Sequence, residues 1–322
     1  MKSKKNKICV IGAGGWGKNH INTLNRLGNL YGIVDKDKNI LNNYNEGYQD
    51  CNFHNSVEEA ISFGYDGYVI STPAETHFEL ANLLLNKSKN VLIEKPVCLS
   101  YKDSKVLLKQ AKNNNCFIMG GHLLLFHPAY LKMKELLKDD AIGEVRYIYS
   151  NRLNFGKVRN YENALWSLAP HDISLILLFN NYPIINTKFN SSKVLNRKIE
   201  DSTIFTLNFS NKVDAHIFIS WLHPFKEHRF VIIGDKGMMV YEDSKKSKKI
   251  DLYNSYVSFE KNNIFDAKMI EGEKKEINFD NSSPLDNELN YFIESIENNS
   301  TDYMNYKLSM EVVDILEKVS EK

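Results

Sequence analysis

The sequence predicts an α/β protein: a doubly wound parallel sheet at the N-terminal end, then an α+β domain with a large, mostly antiparallel open sheet. Three observations predict it. A short apolar strand, Lys7 to Ile11, runs into a glycine turn at Gly12–Gly17 and then a helix start. Strand-length apolar runs then alternate with helical patterns over about 120 residues, the pattern of a parallel sheet. Beyond Phe179, strand patterns follow one another with turns and no helices between them, the pattern of an antiparallel sheet. The expected domains are 1–121 and 122–322. A chain of 322 residues, 43% hydrophobic and 25% charged, is large enough for two cores.

Gly12-Ala13-Gly14-Gly15-Trp16-Gly17 has the G-x-G-x-x-G spacing of a dinucleotide turn. The first glycine makes the tight turn, the second lets backbone approach a pyrophosphate, and the third lets helix pack on strand. The pyrophosphate then meets free N–H groups at a helix N-terminus. Ile21, Leu24 and Leu27 continue that helix at helical spacing. The next strand, Leu30 to Asp35, ends in a carboxylate 18 residues past Gly17, near the spacing for a ribose-binding acid. Asp35 would accept the ribose hydroxyls and repel a 2′-phosphate, favouring NAD; Lys36 beside it keeps NADP open, and a cap on the next helix is the alternative role for Asp35.

Ser56 with Glu59 and Thr76 with Glu79 read as capping boxes that open helices. Gly67 to Ser71 is a buried strand that runs into Thr72-Pro73-Ala74-Glu75-Thr76-His77, and Asn90 to Glu94 is another, stopped by Lys95-Pro96. Ser100 with Asp103 starts a helix to about Asn113, and Cys116 to Gly120 is a further strand. Ligands of such sheets bind at the carboxyl ends of the strands. Gly12–Gly17, Asp35, Ser71–Pro73 and Glu94–Pro96 all fall there, which makes the first domain a Rossmann unit.

From Pro128 the pattern changes. Pro128 to Lys138 is helical, Gly143 to Asn154 a long strand, and Leu165 to Phe179 an apolar helix carrying Pro170-His171-Asp172. Strands are expected at Ile184–Phe189, Thr203–Phe209, Val213–Trp221, Arg229–Ile233, Met238–Tyr241 and Ile250–Tyr256, with two helices after Ser283-Pro284. Lys245–Lys249 reads as a solvated hairpin tip.

Composition excludes several classes. A net charge of +1 gives no reason to expect nucleic acid or an acidic membrane surface. No stretch approaches a membrane span, and the basic start is followed by an apolar run too short for a secretory leader, so a cytoplasmic protein is expected. Cys9, Cys51, Cys98 and Cys116 show no CxxC pairing and read as reduced thiols. The His, Cys and carboxylate spacings suit no metal, and none is expected.

Gly12–Gly17, Ser71-Thr72-Pro73 with His77, Glu94-Lys95-Pro96, and the segment starting Phe126-His127-Pro128-Ala129 stand in order ahead of an antiparallel sheet. Together they resemble the glucose–fructose oxidoreductase/inositol dehydrogenase (Gfo/Idh/MocA) family over nearly the whole chain. The run Asn163 to Ser174 resembles its subgroup acting on nucleotide-linked sugars. The resemblance implies that Lys95 is the catalytic lysine beside the nicotinamide, that the bond to Pro96 is cis, and that His171 is an acid/base or a substrate hydrogen-bonder. Ser167 stands where the family pattern has an aspartate four residues before that histidine.

The chemistry suits these residues. Oxidising a secondary alcohol sends a hydride to nicotinamide and a proton to a base. A lysine ammonium stabilises the developing alkoxide, and a histidine takes a proton near neutral pH. The expected cofactor-binding set is Gly12, Ala13, Gly14, Gly15, Trp16, Gly17, Asp35, Lys36, Ser71, Thr72, Pro73, His77, Glu94 and Lys95. The expected substrate-binding set is His122, Arg152, Arg159, Asn160, Trp166 and His171; Arg152, Lys157, Arg159 and Asn160 are expected between strand and helix, suited to a carboxylate or diphosphate. Asp172 points about 100° away from His171 on the helix and is expected to orient structure. The leading reading is NAD-dependent oxidation or reduction at C3 of a nucleotide-activated sugar, by a homodimer or homotetramer joined through the open sheet. The alternatives are an inositol or free-sugar dehydrogenase and a non-catalytic dinucleotide-binding regulator.

Overall fold

A computed structural model describes residues 5–44, 47–48, 50–155, 162–195, 198–259 and 266–320. The chain divides into two units, one built from the residues up to Leu123 with Ser283–Glu317, the other from Leu124–Ser282 and the residues after Glu317.

In the first unit, β1 (Ile8–Ile11), α1 (Gly17–Leu27), β2 (Leu30–Val34), α2 (Lys38–Asn42), β3 (Asn52–His54), α3 (Val57–Ile61), β4 (Gly67–Ile70), α4 (His77–Asn86), β5 (Asn90–Glu94), α5 (Tyr101–Asn113) and β6 (Ile118–Gly121) alternate. The six strands form one sheet in the order β3-β2-β1-β4-β5-β6, every pairing parallel. That order reverses between β1 and β4, which is where such sheets bind ligands. Ile11 stands opposite Ile70, and Ile70 opposite Ile93, so Gly12, Ser71 and Glu94 emerge at one level. The central strands are apolar at every position because both sheet faces are covered; Ile8, Val10, Val69, Leu92 and Ile93 have no exposure. Burying each such side chain stabilises the fold by roughly 1.5–3 kcal/mol before entropy is counted.

In the second unit, α6 (Pro128–Lys138), β7 (Val145–Phe155), α7 (Ala164–Phe179), β8 (Ile184–Ser192), β9 (Ser202–Phe209), β10 (Asp214–Ser220), β11 (Leu222–Gly234), β12 (Met238–Glu242), β13 (Ile250–Tyr253), β14 (Tyr256–Phe259), β15 (Ala267–Ile270) and β16 (Lys274–Ile277) follow. Eight strands make one sheet in the order β16-β13-β12-β11-β7-β10-β9-β8. Only the β7–β10 pairing is parallel, so the sheet is mixed around one parallel seam. β14 and β15 pair separately. Alternation along β9 buries Thr203, Phe205, Leu207 and Phe209 on the face that α7 covers. Tyr130 of α6 meets Phe230 and Tyr241 edge-on, giving this unit an aromatic core of its own. The lysines after β12 sit in the connection to β13, where Lys245 pairs with Asp251 and Lys249 with Glu276.

The two last helices, α8 (Pro284–Glu297) and α9 (Met304–Ser320), belong almost wholly to the first unit, unlike the expected split at residue 121. The reason is packing. Leu289, Phe292, Tyr306 and Val313 are buried against that unit, and a Cβ at Gly67 would stand 2.6 Å from Ile296.

Candidate active site

The glycine turn is shaped for close backbone contact. Gly12 has φ +91°, and a Cβ on Gly17 would stand 1.9 Å from the Gly12 carbonyl oxygen, so only glycine brings α1 this close to β1. A Cβ on Gly14 or Gly15 would meet nothing within 4 Å, so the turn is open above. Trp16 is the N-cap of α1 and no side chain caps that first turn. Open backbone with a helix N-terminus fits the pyrophosphate of a dinucleotide.

Asp35 follows β2. Its Oδ2 accepts the Ala13 N–H at 2.9 Å and its Oδ1 the Asp37 N–H at 3.0 Å, which fixes the carboxylate against the glycine turn. The next helix is capped by Asp37, not Asp35. Lys36 is exposed. Tyr44 also reaches the turn, its hydroxyl donating to the Ala13 carbonyl at 3.2 Å; the sequence contains no local signal for that contact.

Ser71 closes the adjoining strand end, its hydroxyl 2.9 Å from the Gly12 carbonyl oxygen and 3.1 Å from that of Ile11. Thr76 does not form the expected capping box. It is the last residue of a 3₁₀ turn, Ala74–Thr76, in helical backbone, and its hydroxyl turns back to donate to the Pro73 carbonyl at 2.7 Å, beside the Thr72 hydroxyl. His77 opens α4. It is 1% exposed, with Nδ1 2.8 Å from the Pro96 carbonyl oxygen and Nε2 2.9 Å from that of Thr72. Both ring nitrogens lie against backbone carbonyls, so His77 braces the loops after β4 and β5. Burial pushes its pKa down against the pull of those two carbonyls.

Glu94 is the hub of this end of the sheet. Its Oε1 takes the Trp16 indole N–H and lies 2.8 Å from His20 Nε2, while its Oε2 accepts the Lys95 backbone N–H at 3.1 Å. Burial raises its pKa, but His20, Lys95 and Trp16 together outweigh burial and hold the carboxyl below its ordinary range. Glu94 is therefore ionised. Glu288 of α8 is 1% exposed, and its pKa is pushed well above the ordinary carboxylate value by burial first and by the Glu94 charge second. His122, just past β6, is 1% exposed, and among the described residues its ring nitrogens have no hydrogen-bond partner. Burial lowers its pKa to about 4, with Lys95 adding to the shift and Glu94 opposing it. The Lys95–Pro96 peptide is cis.

His20 and Glu288 escaped the sequence reading. Their signals were present: His20 lies one helical turn past Trp16, and Glu288 interrupts the apolar stripe of Leu285, Leu289, Phe292 and Ile296.

In the second unit, Asn163 caps α7 by accepting the Trp166 N–H at 3.0 Å. The Trp166 indole N–H donates to the Ser320 hydroxyl at 2.9 Å. His171 is half-buried on α7, and Asp172 beside it is 1% exposed. Arg152 lies within β7, not after it, and is 6% exposed. Its guanidinium pairs with Asp172, Nε to Oδ2 at 2.6 Å and Nη2 to Oδ1 at 3.2 Å. Asp172 thus has a structural partner. Lys157, Arg159 and Asn160 lie outside the described residues. Among the described residues, no group of three or more His, Cys, Asp or Glu could hold a metal ion, and no helix is long and apolar enough to cross a membrane.

A six-stranded parallel sheet with this turn at its switch point defines a dinucleotide-binding unit. The chain belongs to the Gfo/Idh/MocA oxidoreductase family: the model of the family's NAD-binding Rossmann fold matches residues 6–122, and that of its C-terminal domain matches residues 130–240. An oxidoreductase of Streptococcus pneumoniae that carries no assigned substrate is 27% identical over 218 residues, 62% of this chain and 59% of its own. UDP-N-acetylglucosamine 3-dehydrogenase of Acidithiobacillus ferrooxidans is 28% identical over 170 residues, 52% of each chain. The matched segment therefore spans only a little over half the length of these two relatives. The solved structure of the latter superposes with a TM-score of 0.83 at 18% identity, covering 98% of this chain and 97% of that one. Inositol 2-dehydrogenase of Salmonella typhimurium is 22% identical over 253 residues, 72% of each chain.

Proposed function

We propose that the chain is an NAD-dependent oxidoreductase that interconverts a secondary alcohol and a ketone on a nucleotide-activated sugar, at C3. One observation carries the reading: the ionised Glu94 carboxylate is bonded both to Trp16 of the dinucleotide turn and to the backbone of Lys95. A single buried group thereby fixes a lysine at the strand end where a dinucleotide turn opens. Gly14, Gly15 and the start of α1 hold the pyrophosphate. Asp35 receives the adenosine ribose and repels a 2′-phosphate, favouring NAD over NADP. The nicotinamide, when bound, supplies hydride transfer to or from the sugar carbon. Lys95 stabilises charge developing on the carbinol oxygen, and His171 holds or releases the hydroxyl proton.

The nucleotide-sugar assignment draws on the UDP-N-acetylglucosamine 3-dehydrogenase relative. The longer match to inositol 2-dehydrogenase favours a second reading, a polyol dehydrogenase. The test is nicotinamide reduction with UDP-N-acetylglucosamine, UDP-N-acetylglucosaminuronate, myo-inositol and free hexoses. Turnover of UDP-sugars alone supports the first reading, turnover of free polyols alone the second, and none across the panel a dinucleotide-binding regulator. Lys95→Ala should abolish turnover while NADH still binds; full activity in that variant sinks the role of Lys95.

A further inference from the structure

The second unit contains a buried ion pair that the proposed chemistry leaves unused. Arg152 and Asp172 are joined by two hydrogen bonds, and the Ser150 hydroxyl donates to the same Oδ1 of Asp172 at 2.5 Å. Arg152 Nη1 also lies 3.3 Å from Nδ1 of His228, on β11. An arginine can only donate, so that Nδ1 is an acceptor and the ring is neutral. Burial first and the Arg152 cation second lower the His228 pKa to about 3, in keeping with a neutral ring. One cluster thus ties α7 to two adjacent sheet strands, β7 and β11.

The tie falls where α7 is weakest. Pro170 lies inside the helix and has no N–H for the carbonyl one turn back, and its ring crowds that turn. His171 stands between this break and the anchored Asp172. Net stability is a poor explanation for such a pair, because a buried ion pair exchanged for apolar residues of similar volume is often neutral or stabilising. Geometry is a better one. A helix carries its side chains about 5–6 Å from its axis, so a rotation of about 20° moves an imidazole by about 2 Å. A displacement near 1 Å in a reacting group can cost about 100-fold in rate.

We propose that Arg152 and Asp172 are positioning residues for His171: the bidentate pair fixes the rotation of α7 at its proline and so aims the imidazole. The inference rests on the reading of His171 as the proton-handling group. Arg152 serves the site through the helix, not by binding an anion.

The experiment compares Arg152→Met/Asp172→Leu with Asp172→Asn, His171→Asn and the parent. Melting temperature, NADH affinity by fluorescence, the histidine ring NMR resonances, and kcat and KM with whichever panel sugar the parent turns over are measured. The double variant should fold and bind NADH like the parent, yet lose kcat about 100-fold with KM little changed. The His171 resonance, assigned from its absence in His171→Asn, should move. A folded double variant with parental kcat and an unmoved His171 resonance overturns the proposal. Should the double variant not fold, Asp172→Asn is measured in its place: a lowered kcat with a moved His171 resonance supports the proposal, and parental values of both overturn it. If His171→Asn itself keeps full activity, the proton role of His171 fails first, and an unmoved resonance in the Asp172 variants is then needed to reject the positioning as well.

Discussion

His122 offers a prediction whose size follows from its burial. In the folded protein its pKa is lowered to about 4 by burial, with Lys95 adding to the shift and Glu94 opposing it. In the unfolded chain it returns to about 6.5. Between those values the unfolded state binds the extra proton, so stability rises with pH through this window and is level above about pH 6.5. The full window corresponds to about 3 kcal/mol, and the part between pH 7.5 and 5 to about 2 kcal/mol. The perturbation is His122→Gln, which places a group that does not titrate at the same buried position. Melting curves of variant and parent are taken from pH 7.5 to 5, and the difference in melting temperature is followed. Other titrating groups are common to both proteins and cancel in the subtraction. The parent should lose about 2 kcal/mol more than the variant over this range, about 4–8 °C at the 2–4 °C per kcal/mol usual for a domain of 150–250 residues. A difference that stays flat with pH, or grows in the opposite sense, refutes a buried neutral histidine beside Glu94 and Lys95.

Glu288→Gln should behave in the opposite way. Its folded pKa is raised, so its favourable contribution is complete below the unfolded value near 4.3 and is lost as pH rises. The variant should gain on the parent between pH 5 and 8, by at most about 1.4 kcal/mol per pH unit, read from paired melts. Asp35→Ser should raise kcat/KM for NADP relative to NAD by about tenfold or more, since a carboxylate no longer faces a 2′-phosphate; an unchanged ratio in steady-state assays would remove Asp35 from cofactor choice. Gly17→Ala should unfold the first unit or abolish NADH binding, because its methyl would stand 1.9 Å from the Gly12 carbonyl oxygen, and a fluorescence titration reads the loss directly.

How much of the site could be read in advance depends on how far apart its parts lie in the chain. The glycine turn and the helix start form within six consecutive residues, and Ser56 and Ser100 cap α3 and α5 through bonds to the N–H groups of Glu59 and Asp103, three residues on. Thr76 shows the limit of even this local signal: the same motif lies in helical backbone, and its hydroxyl finds a nearer carbonyl. The His20–Glu94 contact joins residues 74 apart; helical spacing puts His20 beside Trp16, but only the folded sheet brings Glu94 to both. Arg152 reads in sequence as a group for a substrate carboxylate or diphosphate because its partner, Asp172, is brought to it only when α7 lies on β7.

The sequence by itself determined the alternating first sheet, the dinucleotide turn and Asp35 behind it, the Glu-Lys-Pro strand end, and the family. Each is written in short-range sterics, hydrogen bonding and the period of the apolar pattern, which act within a few residues. Tertiary structure alone decided that α8 and α9 complete the first unit, that β7 and β10 pair in parallel, that His77 is spent as a brace, and that Glu94 gathers Trp16, His20 and Lys95. These outcomes depend on which distant surfaces exclude water from each other. Burial pushes the pKa of Glu288 up and that of His122 down, whereas His20, Lys95 and Trp16 hold that of Glu94 down against burial.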